Sequence, residues 1–400
     1  MSENWIELEK QYFLPVSKRL QVTLVRGEGT RVWDLEGREY LDFVAGIAAV
    51  SLGHCHPEIV AAVERQARQL MHTSNYYYTI PQVKLAQLLC DNSGLDKIFF
   101  CNSGAEAVEG LIKLARKWGK VKRDGAYEII VAENAFHGRT MATVSAAGNE
   151  KYRAPFTPLL EGFVRVPFND AEAIRKATTG KTAAVLLEPV QGEGGVNLPD
   201  ADYLPQVRSW CDKAGILLLL DEVQSGIGRT GKLFAFQHSG IEPDAIAVAK
   251  ALGGGFPIGA FIARDHCALL GPGEHGTTFG GNALACEVGY AVLKYILDHD
   301  LPAQAARRGE YMERRLHSLA DRHPMVTEVR GKGLIWAVEL DSPVAEEAMG
   351  IALGEGLLVN NVKPTALRFI PPLTVTEEEI DRAVEIVDRV LSRLEAGTPK

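Results

Sequence analysis

The chain has 400 residues, 46% of them hydrophobic and 24% charged, enough for one large domain with its own core plus a smaller one. A formal net charge of -8 leaves no basic surplus to meet phosphates, so no nucleic-acid partner is expected and small metabolites are the natural ligands. Met1-Ser2-Glu3-Asn4-Trp5 lacks a basic and apolar leader, no apolar run reaches membrane-spanning length, and the six cysteines are scattered without CxxC spacing; we expect no membrane, a cytoplasmic location and reduced thiols.

In chain order, turns at Gly27-Glu28-Gly29 and Glu36-Gly37 divide residues 23–42 into short runs that predict a small antiparallel meander. Gly53-His54-Cys55-His56-Pro57 then leads into an amphipathic helix over 58–71, with Pro57 suited to its first position. Alternate positions project differently and no further His/Cys cluster joins these histidines, so we expect a tight turn and no metal. After Asn75-Tyr76-Tyr77-Tyr78 and a helix over 81–90, the strand 97–101 runs into Asn102-Ser103-Gly104-Ala105-Glu106-Ala107 and a helix over 106–118. Strand, Ser-Gly turn, helix aims backbone N–H groups and a helix dipole at a phosphate, although serine is also a common N-cap.

A strand over 127–132 ends near Phe136 and Arg139, an aromatic and a guanidinium able to stack on a ring and hold a carboxylate. Another over 183–187 ends in Glu188-Pro189-Val190-Gln191-Gly192-Glu193-Gly194-Gly195, and a helix over 203–214 leads back to the sheet. The run Ile216-Leu217-Leu218-Leu219-Leu220 is apolar on both faces, as in a central parallel strand covered by helices, and it stops at Asp221-Glu222-Val223-Gln224. A second strand over 244–249 delivers Lys250 into Gly253-Gly254-Gly255. Open α/β sheets bind ligands at the carboxyl ends of their strands. An acid and a lysine there suit pyridoxal phosphate, which needs a Schiff-base lysine and a carboxylate that keeps its pyridine nitrogen protonated. Taken singly, such an Asp is more often a cap and such a Lys a solvated surface charge.

Beyond Lys250 we expect a strand over 258–263, an irregular glycine-rich stretch from Gly273 to Asn282 carrying Thr277 and Thr278, and a helix over 283–298. From about Leu316 the pattern changes to helix, strand (334–340), helix (344–354), strand pieces near Leu357 and Arg368, and a last helix over 377–394. The fold class is α/β: a large domain with a mostly parallel doubly wound sheet, and a smaller α+β domain. The expected division is 1–56, a segment packing with the small domain; 57–315, the large domain; and 316–400, the small domain.

The blocks GHCHP (53–57), FFCNSGAEA (99–107), AFHGRT (135–140), EPVQGEGG (188–195), DEVQSGIGRTG (221–231), AKALGGGFPIGA (249–260) and HGTTFGGN (275–282) resemble, in order, those of the class III aminotransferases of the fold-type I pyridoxal phosphate enzymes, and most closely the acetylornithine-specific branch. The resemblance implies that Lys250 forms the Schiff base and shuttles the proton, that Asp221 pairs with the pyridinium nitrogen, that Phe136 and Val223 sandwich the ring, and that Gln224 meets the phenolic oxygen. It implies that Ser103, Gly104 and Ala105 cradle the phosphate, completed in a homodimer by Thr278 of the other subunit, with Thr277 beside the substrate. Arg139 would hold the donor's carboxylate, and Arg368, masked by Glu193, would be uncovered for glutamate. The implied reaction moves the terminal amino group of N2-acetyl-L-ornithine to 2-oxoglutarate, giving N-acetyl-L-glutamate 5-semialdehyde and glutamate, a step of arginine biosynthesis. Succinylornithine, ornithine or 4-aminobutyrate as donor, and more distantly an aminomutase, remain open. Ile47 stands where ornithine-specific relatives place a tyrosine, which disfavours free ornithine.

Overall fold

The computed structural model describes residues 4–397. Ile216 to Leu220 have no polar face to offer water, and each is 3% exposed or less. They form most of the strand Leu217–Asp221, the middle of a seven-stranded sheet. The spatial order is Lys97–Cys101, Gly259–Ala263, Ala245–Val248, Leu217–Asp221, Thr182–Leu187, Glu128–Ala132, Phe163–Val166. From Ala245–Val248 to Phe163–Val166 the pairing is parallel, whereas Gly259–Ala263 runs antiparallel to both neighbours. The mostly parallel sheet expected from the apolar runs is therefore present.

Alternation along these strands feeds two cores. Leu217 and Leu219 share one with Ala184, Leu186, Ala245, Ala247 and the inner face of the helix Gly104–Lys122. Leu218 and Leu220 share the other with Val185, Leu187, Ile246, Val248 and residues of the helices Tyr203–Ala214 and Ala283–Asp298. Each fully buried leucine contributes about 1.5–3 kcal/mol, so the strand ends are held by material that cannot easily shift.

Among the described residues two further sheets, each four-stranded, accompany the seven-stranded one. The N-terminal meander, Leu24–Glu28, Arg31–Asp34 and Glu39–Asp42, is antiparallel, and Leu357–Leu358 from far along the chain joins it in parallel beside Glu39–Asp42. The second has the order Val326–Lys332, Ile335–Leu340, Ala366–Phe369, Asn360–Lys363, all antiparallel. The helix expected from about Leu316 begins at Leu301 and runs to Ala320, so the expected division at 315/316 lies inside it. The GHCHP block is a turn: Gly53 (φ +88°) and Cys55 (φ +50°) are left-handed, His54 Nε2 meets Asp42 Oδ2 at 2.7 Å, and the His56 ring accepts the Glu58 amide at the start of the helix Pro57–Ala67. Among the described residues, no helix is long and apolar enough to cross a membrane.

Candidate active site

Three neighbouring parallel strands present their carboxyl ends to one cavity of about 390 Å³. Thr182–Leu187 ends at Glu188, Leu217–Asp221 ends in Asp221, and Ala245–Val248 is followed by Ala249 and Lys250, which opens a 3-10 turn. Lys250 lies at φ +41°, left-handed for a residue with a side chain. Such strain costs about 1–3 kcal/mol and survives only where its surroundings fix it. Among the described residues no hydrogen bond or ion pair holds Lys250 Nζ. Burial presses its ammonium toward the neutral amine, the form that condenses with a carbonyl.

Asp221 is fixed from two directions. Its Oδ1 accepts the Val223 amide at 3.0 Å, and its Oδ2 lies 2.9 Å from His137 Nδ1. Burial works against a charge on His137, yet the hydrogen bond to Asp221 and the carboxylates of Asp221 and Glu188 outweigh it and raise the imidazole above its ordinary value. Glu188 accepts the Phe136 amide at 2.8 Å and is shifted upward by burial. Glu222, on the other side of the strand, accepts from Ser225 Oγ (2.6 Å) and the Phe236 amide (2.8 Å), and burial pushes its carboxyl up to about 7.

The third wall is the start of the helix Gly104–Lys122. Ser103 Oγ caps it by accepting the Glu106 amide at 3.2 Å. The first-turn amides of Gly104 and Ala105, which have no carbonyl within the helix, border the cavity. These donors, the unbonded lysine amine and the fixed carboxylate are the three kinds of group that pyridoxal phosphate requires, at its phosphate, its aldehyde and its ring nitrogen. Phe136 and Val223 also line the cavity, as the expected sandwich requires.

Behind the lining residues Glu193 and Gln224, the strand Ala366–Phe369 supplies Arg368, fully buried and not itself among the residues that line the cavity. Its Nη1 donates to Glu193 Oε1 (2.6 Å) and Gln224 Oε1 (3.1 Å), and its Nε to Asn360 Oδ1 (3.3 Å). Gln224 Nε2 donates back to Glu193 Oε1 at 3.0 Å, so the amide bridges the ion pair. Here Gln224 serves the acid and the arginine, a use beyond the cofactor contact expected of it. Burial would raise the Glu193 carboxyl, but Arg368, Lys250 and the Gln224 hydrogen bond hold it below the usual range. A Cβ on Gly192 would lie 1.7 Å from Gln224 Oε1, so only glycine allows this approach.

Arg139, exposed, borders the cavity with its guanidinium 4.0 Å from the Tyr152 ring centre and 5.2 Å from that of Phe136. Thr277 and Thr278 lie outside this cavity: the Thr277 hydroxyl accepts the Gly280 amide at 3.1 Å, and Thr278 is exposed. Ile47, 42% exposed, is not among the lining residues, though Ala49 is. It belongs to a left-handed turn in which Ala45, Gly46, Ile47 and Ala48 all have φ between +49° and +63°. Reading the sequence singled out neither His137 nor Glu188 nor Tyr152. The first two sit inside blocks already quoted, one residue after Phe136 and one after an apolar strand, where position alone was a signal; Tyr152 has no comparable mark.

A family model described as aminotransferase class-III matches residues 13–391. The chain is 50% identical over 390 residues, 97% of it and 99% of the relative, to an acetylornithine aminotransferase of Caldanaerobacter subterraneus subsp. tengcongensis. Among solved structures it resembles the ornithine aminotransferase from Toxoplasma gondii ME49, with a TM-score of 0.95 at 34% identity over 98% of this chain and 96% of that one. It also resembles the acetylornithine aminotransferase from Elizabethkingia anophelis, with a TM-score of 0.87 at 38% identity over 97% and 98%.

Proposed function

The chain belongs to the class III aminotransferases, and from that premise we propose that it moves the terminal amino group of N2-acetyl-L-ornithine to 2-oxoglutarate, yielding N-acetyl-L-glutamate 5-semialdehyde and L-glutamate. Bound pyridoxal phosphate supplies the electron sink and the carbonyl that carries the amino group between the two substrates. Lys250 holds the cofactor and moves the proton at the reacting carbon. Asp221, oriented by the Val223 amide and by His137, keeps a proton on the ring nitrogen. Ser103, Gly104 and Ala105 meet the phosphate, and Phe136 and Val223 flank the ring.

The observation that carries the reading is the Arg368–Glu193 pair at 2.6 Å. Glutamate brings two carboxylates and needs two arginines, Arg139 and Arg368. A terminal-amine donor has no carboxylate beside its reacting carbon, so a bare Arg368 would be an uncompensated charge in that half-reaction. Glu193 neutralises it and can yield it to glutamate. The acyl donor, rather than free ornithine, is favoured by relatives of that activity at 50% identity over nearly the whole chain.

The working unit is a homodimer. Thr278 is outside its own cavity, Phe279 beside it is exposed, and Asn75 Nδ2, donating to Thr277 O and Gly280 O, ties this stretch to a segment in which Tyr76, Tyr78 and Ile80 are exposed too. Such exposed apolar residues fit a self-complementary interface that sends Thr278 to the partner's phosphate. The enzyme acts in the cytoplasm on small molecules. Steady-state assay of acetylornithine, succinylornithine, ornithine and 4-aminobutyrate with 2-oxoglutarate tests the reading: kcat/KM should be highest for acetylornithine, and a higher value for free ornithine overturns the donor assignment.

A further inference from the structure

Glu193 can mask and release Arg368 reproducibly only if the loop that carries it stays in place. That loop is a glycine-rich turn closed at its base, where Gln191 and Asn197 exchange main-chain hydrogen bonds (3.1 and 3.0 Å) and Asn197 Nδ2 donates to Gly194 O (3.3 Å), but residues 192–195 at its tip have no strand or helix of their own. We infer that Arg330, on the far strand of the small sheet, is the positioning residue that fixes the Glu193 loop over Arg368 and so sets how the enzyme divides its efficiency between its two half-reactions. The inference rests on the reading of Glu193 as the mask.

The geometry begins with register. Arg330 stands opposite Ala337, Ala337 opposite Arg368, and Arg368 opposite Asn360, so one row crosses all four strands on one face. Adjacent strands lie about 4.8 Å apart, which separates the two arginines by about 10 Å. The side chain between them is a single methyl group. Both arginines reach the same short stretch of loop. Arg368 takes the Glu193 carboxylate, while Arg330 donates from Nε (3.0 Å) and Nη2 (2.7 Å) to the carbonyl of Gly195, two residues further on.

Arg330 is itself held still. Its Nη1 donates to Glu328 Oε2 at 2.8 Å and its Nη2 to Glu339 Oε2 at 2.6 Å, and Thr365 Oγ1 donates to the other oxygen of Glu339. The receiving position is equally specific: Gly195 has φ +128°, and a Cβ there would lie 2.4 Å from Lys363 Cε. The main chain is thus pinned at residue 195 by an anchored guanidinium. When glutamate claims Arg368, Glu193 leaves by turning its side chain and finds the same place on return. Without the pin the tip keeps only the Gln191–Asn197 closure and the Asn197 contact to Gly194, Glu193 is placed less well over Arg368, and the half-reaction that suffers is the one with the terminal-amine donor.

Single-turnover rates of the holoenzyme with acetylornithine and, separately, with glutamate test this in Arg330→Met, Arg330→Lys and Glu193→Ala. Loss of the charge-assisted hydrogen bonds should lower the donor-to-glutamate ratio of rate over apparent Kd about tenfold in Arg330→Met. Arg330→Lys should recover part of it, because an ammonium can still reach the carbonyl once. In a Glu193→Ala background Arg330→Met should change the ratio less than about twofold, since both act through one pair. Glu339→Gln, which loosens the guanidinium without removing it, gives the same readout if Arg330→Met does not fold. A shifted ratio in Glu193→Ala with an unshifted one in Arg330→Met, or equal losses in both half-reactions of Arg330→Met, overturns the role of Arg330 and leaves the mask standing. An unshifted ratio in Glu193→Ala overturns the mask itself, and the inference with it.

Discussion

The two sides of the cavity are built by different means. On the large-sheet side each group hangs from the end of a strand buried on both faces, and its partners are largely main-chain or fully buried: the Val223 amide and His137 for Asp221, the Phe136 amide for Glu188. On the small-sheet side the contacts run side chain to side chain between separate elements, with Glu193 Oε1 shared between Arg368 and Gln224. The first construction suits a ligand that stays and needs one geometry. The second suits two visitors with different charge, because a charge-assisted pair between side chains can exchange partners without moving the core.

If that contrast is right, substitutions on the large-sheet side should damage both half-reactions alike. The largest effect is expected at Lys250: Lys250→Ala should lower turnover at least about 10⁴-fold with either substrate, with circular dichroism unchanged. Measurable unequal losses would break the contrast at its strongest point. Asp221→Ala should cost about 10²–10³-fold, again equally, by removing the charge that holds the ring proton. His137→Phe, which leaves Asp221 with the Val223 amide, should cost about tenfold. Pre-steady-state rates for each substrate check both.

The same side should carry the pH dependence of stability. Burial raises the Glu222 carboxyl to about 7, against an ordinary value of 4.5, so the folded chain keeps a proton that the unfolded chain loses in that window. The contribution of Glu222 to stability therefore falls as pH rises from about 4.5 through 7 and levels off above, by a few kcal/mol in total. Glu222→Gln keeps the neutral form and both hydrogen-bond partners. Thermal denaturation at about pH 5 and pH 8 should show a smaller drop in Tm for this variant than for the parent chain, and an equal drop would assign the slope to other groups.

The large-sheet side was also the more legible one. A run of five aliphatic residues that stops at an acid can hardly be anything but a buried strand, and the strand 97–101 and the helices 203–214 and 283–298 were bounded correctly from apolar pattern and capping residues. On the other side little is written locally. Leu301–Ala320 buries only a narrow stripe, Leu301, Ala305, Gly309, Met312, Leu316 and Leu319, among charged residues, so a helix is legible only from about Leu316. Val326–Lys332 is an edge strand with Gly331 near its end and a mostly uncovered pattern, which conceals alternation and with it the place of Arg330. The left-handed turn Ala45–Ala48 follows from no local preference, since Ile47 disfavours its own φ of +59°. Arg368 and Glu193 could be named together only through family resemblance, because residues 175 positions apart meet by tertiary structure alone.

The most direct test of the contrast is Arg368→Ala, followed by single-turnover spectroscopy with glutamate and with N2-acetylornithine on the same preparation. The variant removes the guanidinium that glutamate's second carboxylate would pair with, and it leaves Glu193, still hydrogen-bonded to Gln224, as an anion without its guanidinium that repels that carboxylate. The account predicts a loss of about 100-fold or more in the glutamate half-reaction and less than about tenfold with acetylornithine; equal losses in the two would contradict it.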